Sequence, residues 1–333
     1  MKLSLNMSLN ELKEIPEFFE VADFIRYFPG AVGHMAGETL IKDTVRFGWN
    51  PESLLFGLKR LEEVCRKGRC LYRIYPDAPD GMKHDVSLMF FPKTADTGLK
   101  PFIILCPGGG FISVGSVSEG FPVAAELNAR GYDVFILTYT VGYTAALPVQ
   151  LDDLAAAVRY VFDHRSVFGV SGKYIVGGCS AGGYMTALWG TDNHGYASYG
   201  LPAPEAMFPV YAIADPALEC DDSLYNLANG ILFARKRSSE LYEEYNVSRH
   251  MSRTYPPCYI VCGKNDITVP PENSQMIKDG LDALGISAQL EMPLNAPHGF
   301  GDGRGTDAFG WIGRACEFLE SLCNAETENE QQN

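Results

Sequence analysis

Gly178-Cys179-Ser180-Ala181-Gly182 places a serine where its setting, not only its type, could make it a nucleophile. An apolar run, Tyr174-Ile175-Val176, precedes it. Gly183-Tyr184-Met185-Thr186-Ala187-Leu188-Trp189, which reads as a helix, comes directly after. A Gly-x-Ser-x-Gly turn between strand and helix lifts the serine hydroxyl above the end of a sheet. The backbone of such a serine is strained, and glycine two residues to either side removes Cβ atoms that would collide. Cys179 is a thiol in the same turn, but Ser180 holds its middle position.

Two further loops carry the groups such a serine needs. Upstream, the apolar run Phe102-Ile103-Ile104-Leu105 leads into Cys106-Pro107-Gly108-Gly109-Gly110-Phe111. Glycines at a strand end leave backbone N–H groups unscreened, and one such donor aimed at a developing oxyanion lowers a barrier by roughly 3–4 kcal/mol. Downstream, Pro257-Cys258-Tyr259-Ile260-Val261-Cys262 reads as a strand ending in Gly263-Lys264-Asn265-Asp266. A helix and the strand Ala288-Gln289-Leu290-Glu291-Met292 come next, then the loop Asn295-Ala296-Pro297-His298-Gly299-Phe300-Gly301. The chain order Ser180, Asp266, His298 is the order of α/β-hydrolase triads. Of the six histidines, His34, His84, His164, His194, His250 and His298, only the last comes after the candidate acid. The other five read as structural or solvent-exposed.

The elements that must hold these groups alternate. Strands are expected at 70–75, 87–91, 102–106, 133–139, 173–177, 207–212, 258–262 and 288–292. Helices are expected near 118–130, 148–163, 180–190, 271–284 and 308–323. That alternation predicts an α/β fold with a mostly parallel central sheet of about eight strands and helices on both faces, its site at the strands' C-terminal ends. Residues 1–68 form a separate helical segment packing on or over the core. In it, Ser8-Leu9-Asn10-Glu11 matches a capping box, and Asn50-Pro51-Glu52 places an N-cap before proline at the first helical position. Leu54, Leu58, Leu61 and Cys65 then make one apolar stripe ending near Gly68. Within the main domain, 69–325, residues 215–256 interrupt the rhythm with Asp221, Asp222, Glu240, Glu243, Glu244, Tyr225, Phe233, Tyr242 and Tyr245. They form a cap insertion, either a solvated excursion or a lid. The polar residues 326–333 are expected to be a disordered tail.

With these residues in place, the chain resembles the α/β-hydrolase fold esterases. Within them it is similar to the bacterial acetyl-esterase and feruloyl-esterase-like group related to the hormone-sensitive-lipase branch. The resemblance rests on Pro107-Gly108-Gly109-Gly110-Phe111, Ser118-Glu119-Gly120, Val134-Phe135-Ile136-Leu137-Thr138-Tyr139, and Leu147-Pro148 with Asp152-Asp153. The Gly178–Gly182 turn, Asp266-Ile267-Thr268-Val269-Pro270 and His298-Gly299-Phe300 complete it. It spans roughly residues 85–325. The hormone-sensitive-lipase pattern has histidine before the glycines where this chain has Pro107, a variant that the acetyl-esterase-like group accepts.

The resemblance implies a serine esterase acting through an acyl-enzyme. Ser180 is the nucleophile, His298 the base and Asp266 its partner, with an oxyanion hole of the Gly109, Gly110 and Ala181 N–H groups. Phe111 and Cys179 are the candidate substrate contacts. Asp215 competes for the role of acid, since it lies just past the strand at 207–212. Asp266 is preferred because it ends the next strand after a Gly-Lys-Asn turn, as in the resembled group. Short acyl groups on small carbohydrates, acetyl first, are the implied substrates. No cofactor and no metal are expected.

Composition narrows the setting. With 333 residues, 46% of them hydrophobic, the chain can bury one large α/β core or two modest ones. A net charge of -14 argues against nucleic acid or an anionic membrane as partner. No basic stretch leads into a signal-like apolar run at the start, and no apolar run approaches the roughly 20 residues of a membrane span. Nine cysteines without paired or metal-ligand spacing suit a reducing cytoplasm. Three other readings stay open. One is a peptidase of the prolyl-oligopeptidase type, although propeller repeats are missing from the sequence. Another is a non-catalytic small-molecule-binding relative of the fold. The third is an interaction protein working through residues 1–68. Whether the chain forms an oligomer is not legible from its residues.

Overall fold

The computed structural model describes residues 2–25, 37–79, 83–142, 147–218 and 238–332. Its centre is one eight-stranded sheet: β1 (Leu71–Arg73), β2 (Ser87–Phe91), β3 (Phe102–Cys106), β4 (Val134–Thr138), β5 (Tyr174–Cys179), β6 (Met207–Val210), β7 (Cys258–Val261) and β8 (Ala288–Glu291). The spatial order is β1-β2-β4-β3-β5-β6-β7-β8. β2 runs antiparallel to β1 and β4, and every other pairing is parallel. All eight expected strands are present.

Alternate residues of the strands feed two cores, as a period of two requires. Ile103, Leu105, Val134, Ile136, Ile175, Phe208, Val210, Tyr259 and Val261 face one side. There they meet helices α1 (Pro51–Arg66), α2 (Phe121–Ala129) and the closing helix Trp311–Gln332. Phe102, Ile104, Phe135, Leu137, Tyr174, Val176, Met207, Cys258 and Ile260 face the other. They are covered by α3 (Val149–Asp163), α4 (Ala181–Leu188) and α5 (Glu272–Leu284). The closing helix, α6, extends to Gln332, so residues 326–332, expected to be disordered, are helical here. Glu, Gln and Ala propagate a helix well once the apolar turns from Trp311 have nucleated it.

The N-terminal segment packs on the first of these cores, and Leu9, Leu12, Phe18, Ile25, Ile41 and Leu58 belong to it. Its helical character is less regular than the sequence pattern suggests: Glu11–Glu14, Pro16–Phe18, Ala22–Phe24 and Ile41–Phe47 are 3₁₀ turns, and α1 is the one long helix among the described residues of the segment. The capping box forms. Ser8 N–H donates to Glu11 Oε2 at 2.6 Å and Glu11 N–H to Ser8 Oγ at 3.2 Å. Pro16 has no N–H to give, so the turn at Glu11–Glu14 cannot continue through it. Asn50 caps α1 as expected, its Oδ1 accepting from Ser53 N–H at 3.0 Å. Buried Arg60 ties α1 to the core, donating to Asn128 Oδ1 at 3.0 Å and to the Pro92 carbonyl at 2.5 Å.

Of the 215–256 insertion, residues 219–237, with Asp221, Asp222, Tyr225 and Phe233, lie outside those described. Beyond them come a short helix, Ser239–Glu244, capped by Ser238, and a 3₁₀ turn, Val247–Arg249. Tyr245 and Val247 pack into the second core, where the Tyr184 hydroxyl of α4 donates to the Tyr245 carbonyl at 2.6 Å. This part of the insertion is therefore anchored rather than a solvated excursion.

Because Leu58 is fully buried between α1 and the core, Leu58→Ala should cost about 2–5 kcal/mol. The expected readout is a lower denaturant midpoint with an unchanged slope; an unmoved midpoint would mean that the N-terminal segment is not part of the cooperative fold.

Candidate active site

β5 lies at the middle of the sheet, between β3 and β6, and hands the chain to Ser180 at φ 54°, ψ −116°. A positive φ is strained for a serine, and the surroundings leave no alternative path. A Cβ on Gly178 would lie 2.2 Å from the Gly182 carbonyl oxygen, and one on Gly182 would lie 1.9 Å from that of Cys106. Ser180 N–H is held by the Val210 carbonyl at the end of β6, at 2.9 Å.

The structure brings the expected serine, histidine and aspartate together. Ser180 Oγ lies 2.8 Å from His298 Nε2, and His298 Nδ1 lies 2.7 Å from Asp266 Oδ2. The carboxylate requires the proton on Nδ1, which leaves Nε2 to accept from the serine hydroxyl. Asp266 is itself fixed, since its buried Oδ1 accepts the N–H groups of Thr268 and Val269, each at 2.9 Å. Asp215 is engaged elsewhere: its Oδ1 accepts Ala217 N–H at 2.8 Å in a local turn. The remaining described histidines also bond away from Ser180. His84 meets Arg73, His164 the Tyr160 carbonyl, His194 Glu244 and His250 the Glu243 carbonyl. His34 lies outside the described residues.

The glycine loop stands directly against the serine, because a Cβ on Gly108 would come 2.8 Å from Ser180 Cβ. Gly109, Gly110 and Phe111 all have positive φ, at 130°, 60° and 58°. Gly108 N–H is committed to Glu119 Oε2 at 2.7 Å, and the Pro107 carbonyl accepts from the Tyr139 hydroxyl at 2.7 Å. The N–H groups of Gly109 and Gly110 have no acceptor among the described residues. Ala181 opens α4, so its N–H has no acceptor within the helix and sits at the positive end of the helix dipole.

Two expectations need correction. Phe111 and Cys179, expected to touch substrate, are both wholly buried. Phe111 packs its ring 6.0 Å from that of Tyr139, and Cys179, last residue of β5, faces the core beneath the turn. Burial above all, and then the nearby Glu119, push the Cys179 thiol well above its usual range. Two residues of the site escape the sequence reading. Tyr211, just past β6 at φ 37°, packs edge-on to the His298 ring at 4.9 Å. Glu119 enters that reading only as a mark of resemblance. Its one signal is a carboxylate set among apolar neighbours, and the fold buries it.

The family model of BD-FAE matches residues 88–281. The chain belongs to the BD-FAE family. Among its relatives, Esterase LipC of Mycobacterium tuberculosis is 27% identical over 225 residues, covering 62% of this chain and 55% of that protein. Acetylxylan esterase of Xylanibacter ruminicola is 24% identical over 229 residues, covering 67% of this chain and 44% of that protein. The chain spans about half the length of the curated relatives it matches. In fold it resembles the acetyl ester-xyloside bifunctional hydrolase from Caldicellulosiruptor lactoaceticus, with a TM-score of 0.63 at 22% identity, over 76% of this chain and 96% of that one. A carboxylesterase from Lactobacillus plantarum gives a TM-score of 0.59 at 21% identity, over 71% of this chain and 92% of that one. This BD-FAE chain therefore has the α/β-hydrolase fold.

Ser180 Oγ faces His298 Nε2 at 2.8 Å, whereas the Cys179 thiol is wholly buried, which favours the serine over the thiol for reaction. A fluorophosphonate probe should add one label, on the peptide carrying Ser180, and none after Ser180→Ala. A label recovered on Cys179 by peptide mapping would contradict this.

Proposed function

We propose that this BD-FAE chain is a serine esterase that removes short acyl groups, acetyl first, from small carbohydrate esters. The observation that carries the reading is the continuous contact from Ser180 Oγ through His298 to Asp266, at 2.8 and 2.7 Å, at the C-terminal edge of the sheet. In the first half-reaction Ser180 Oγ attacks the ester carbonyl as its proton passes to His298 Nε2. Asp266 holds the imidazole and stabilises its charged form. The negative charge that develops on the carbonyl oxygen is taken by the N–H groups of Gly109, Gly110 and Ala181. Collapse expels the alcohol, protonated by His298, and leaves an acyl-serine. Water, deprotonated by His298, then attacks the acyl-serine, and a carboxylic acid and free Ser180 result.

The substrate class is argued from likeness. Acetylxylan appears in the name of one relative, the acetylxylan esterase, and an acetyl ester beside a xyloside in that of one structural neighbour, the acetyl ester-xyloside bifunctional hydrolase. The negative net charge disfavours polyanionic partners, and the cysteine usage suits a reducing cytoplasm, where short imported oligosaccharides rather than polymers would be met.

Ser180→Ala should lower kcat on p-nitrophenyl acetate by on the order of 10⁵–10⁶ while leaving the thermal midpoint close to wild type. Across acetate, butyrate, octanoate and palmitate esters, kcat/KM should be highest at acetate or butyrate; a maximum at octanoate or longer would remove the short-acyl part of the proposal. Release of acetate from acetylated xylo-oligosaccharides tests the carbohydrate part directly.

A further inference from the structure

We propose that Glu119 is a positioning residue that locks the glycine loop to the histidine loop and keeps a negative charge behind His298. This rests on the serine-esterase reading of the same site. Glu119 lies in a single π turn, Ser116–Gly120, that leads into α2. Such wider turns inside helices recur at functional sites. The turn is anchored from outside, where Ser116 Oγ donates to the Phe24 carbonyl at 2.8 Å.

The two carboxylate oxygens face two different loops. Oε2 accepts Gly108 N–H at 2.7 Å, and Oε1 accepts the Tyr211 hydroxyl at 2.9 Å. The Tyr211 oxygen in turn accepts Gly301 N–H at 3.3 Å, three residues beyond His298. The Tyr211 ring meets both His298, at 4.9 Å, and Phe300, at 4.7 Å. One buried chain of hydrogen bonds thus runs from the loop that faces the oxyanion to the loop that carries the base. Close backbone approach enforces the same register. A Cβ on Gly108 would lie 2.5 Å from Glu119 Oε2, and one on Gly301 would lie 2.4 Å from the Ser118 carbonyl oxygen.

Gly108 N–H can only donate to Oε2, and Tyr211, whose oxygen accepts Gly301 N–H, donates to Oε1, an arrangement that suits the ionised carboxylate. Burial holds its carboxyl above the usual range, and the charge of His298, the Tyr211 hydroxyl and Gly108 N–H offset only part of that rise. Among the ionisable groups near His298 are Asp266 at Nδ1, the Tyr211 ring on its face with Cys179 beyond, and Glu119. Burial raises both the Tyr211 hydroxyl and the Cys179 thiol well above their usual ranges, so both stay neutral. Asp266 and an ionised Glu119 both favour the imidazolium formed when Ser180 gives up its proton. Glutamine has the same shape but no charge, and its NH₂ can keep the Tyr211 contact only by reversing it, with the phenol oxygen as acceptor.

The test compares wild type with Glu119→Gln, Glu119→Asp and Tyr211→Phe. It measures kcat and KM on p-nitrophenyl acetate, the thermal midpoint, and the NMR titration of the His298 imidazole. Glu119→Gln should lower kcat by about 10–100-fold with KM changed little, the loss expected for one hydrogen bond to a charged group. Its His298 should titrate lower than in wild type by about half a pH unit or more, since an attracting charge has gone. Glu119→Asp keeps the charge but not the reach, so kcat should fall while His298 titrates near the wild-type position. Tyr211→Phe should also lower kcat, by about fivefold, as the Glu119 and Gly301 bonds are lost. Wild-type kcat in a folded Glu119→Gln, or a loss of kcat with the titration unmoved, overturns the proposal. Should Glu119→Gln fail to fold, unchanged kcat in Tyr211→Phe overturns it instead. If wild type cleaves no ester at all, the esterase reading fails, and the His298 titration still decides the role of Glu119.

Discussion

The contact that governs the site is the closure of the turn at Ser180 on its neighbours. The carbonyl oxygens of Gly182 and Cys106 occupy the space that side chains at 178 and 182 would need. Closure at that distance forces Ser180 to φ 54° and aims its hydroxyl out of the sheet. It works only because β5 is central. With β3 on one side and β6 on the other, the loops leaving both strands end beside the serine. A parallel sheet sends β7 and β8 out along the same edge, so Asp266 and His298 arrive there from the next two strands in spatial order. Fold and site are in this sense one constraint, namely which strand sits in the middle and how tightly its turn closes.

Strain of this kind persists only where surrounding contacts over-determine it. The first core supplies many of them, and the N-terminal segment builds much of that core. Ser53 on α1 donates to Asp302 Oδ1 at 2.7 Å, four residues past His298. Arg304 then joins Asp302, at 3.3 Å, to Glu126 on α2, at 2.9 Å. Asp302 is buried, and burial raises its carboxyl, while the Ser53 hydroxyl, Arg304 N–H and the Arg304 charge oppose that shift. A carboxylate in such a place is costly unless every partner is kept. The network therefore fixes the far end of the histidine loop as Asp266 fixes the base itself. Residues that lie well before the main domain in sequence thus take part in holding the site.

How much of this is legible in the sequence depends on where the information sits. The strands are short apolar runs with glycine or polar breaks between them, and local pattern suffices for those. Ser180, Asp266 and His298 are legible because each ends a strand or fills a short loop, so strand order alone places them on one edge. The 3₁₀ turns of residues 11–47 are not, because a capping signal says where a helix opens and not how soon proline or tertiary packing ends it. Phe111 and Cys179 are misread for a related reason: adjacency in sequence to reactive positions says nothing about side-chain direction, and both point into the core. Tyr211 and Glu119 act through partners 90 and 92 residues away in sequence. No local pattern encodes such a pairing.

Cys179 shows how much side-chain direction decides. A thiol is intrinsically the better nucleophile, and this one is the immediate neighbour of the serine. Two features of the fold silence it. As the last residue of β5 it obeys the strand's alternation, so its side chain goes down into the first core while the turn carries Ser180 up. Down there burial above all, and then the nearby Glu119, oppose a thiolate, where a neighbouring cation would favour one. The carboxylate proposed to favour an imidazolium at His298 thus adds to the burial that keeps the thiol protonated. On the role proposed for Glu119, one negative charge under the turn would act with opposite sign on two neighbours, favouring a charged imidazole at His298 and opposing a thiolate at Cys179.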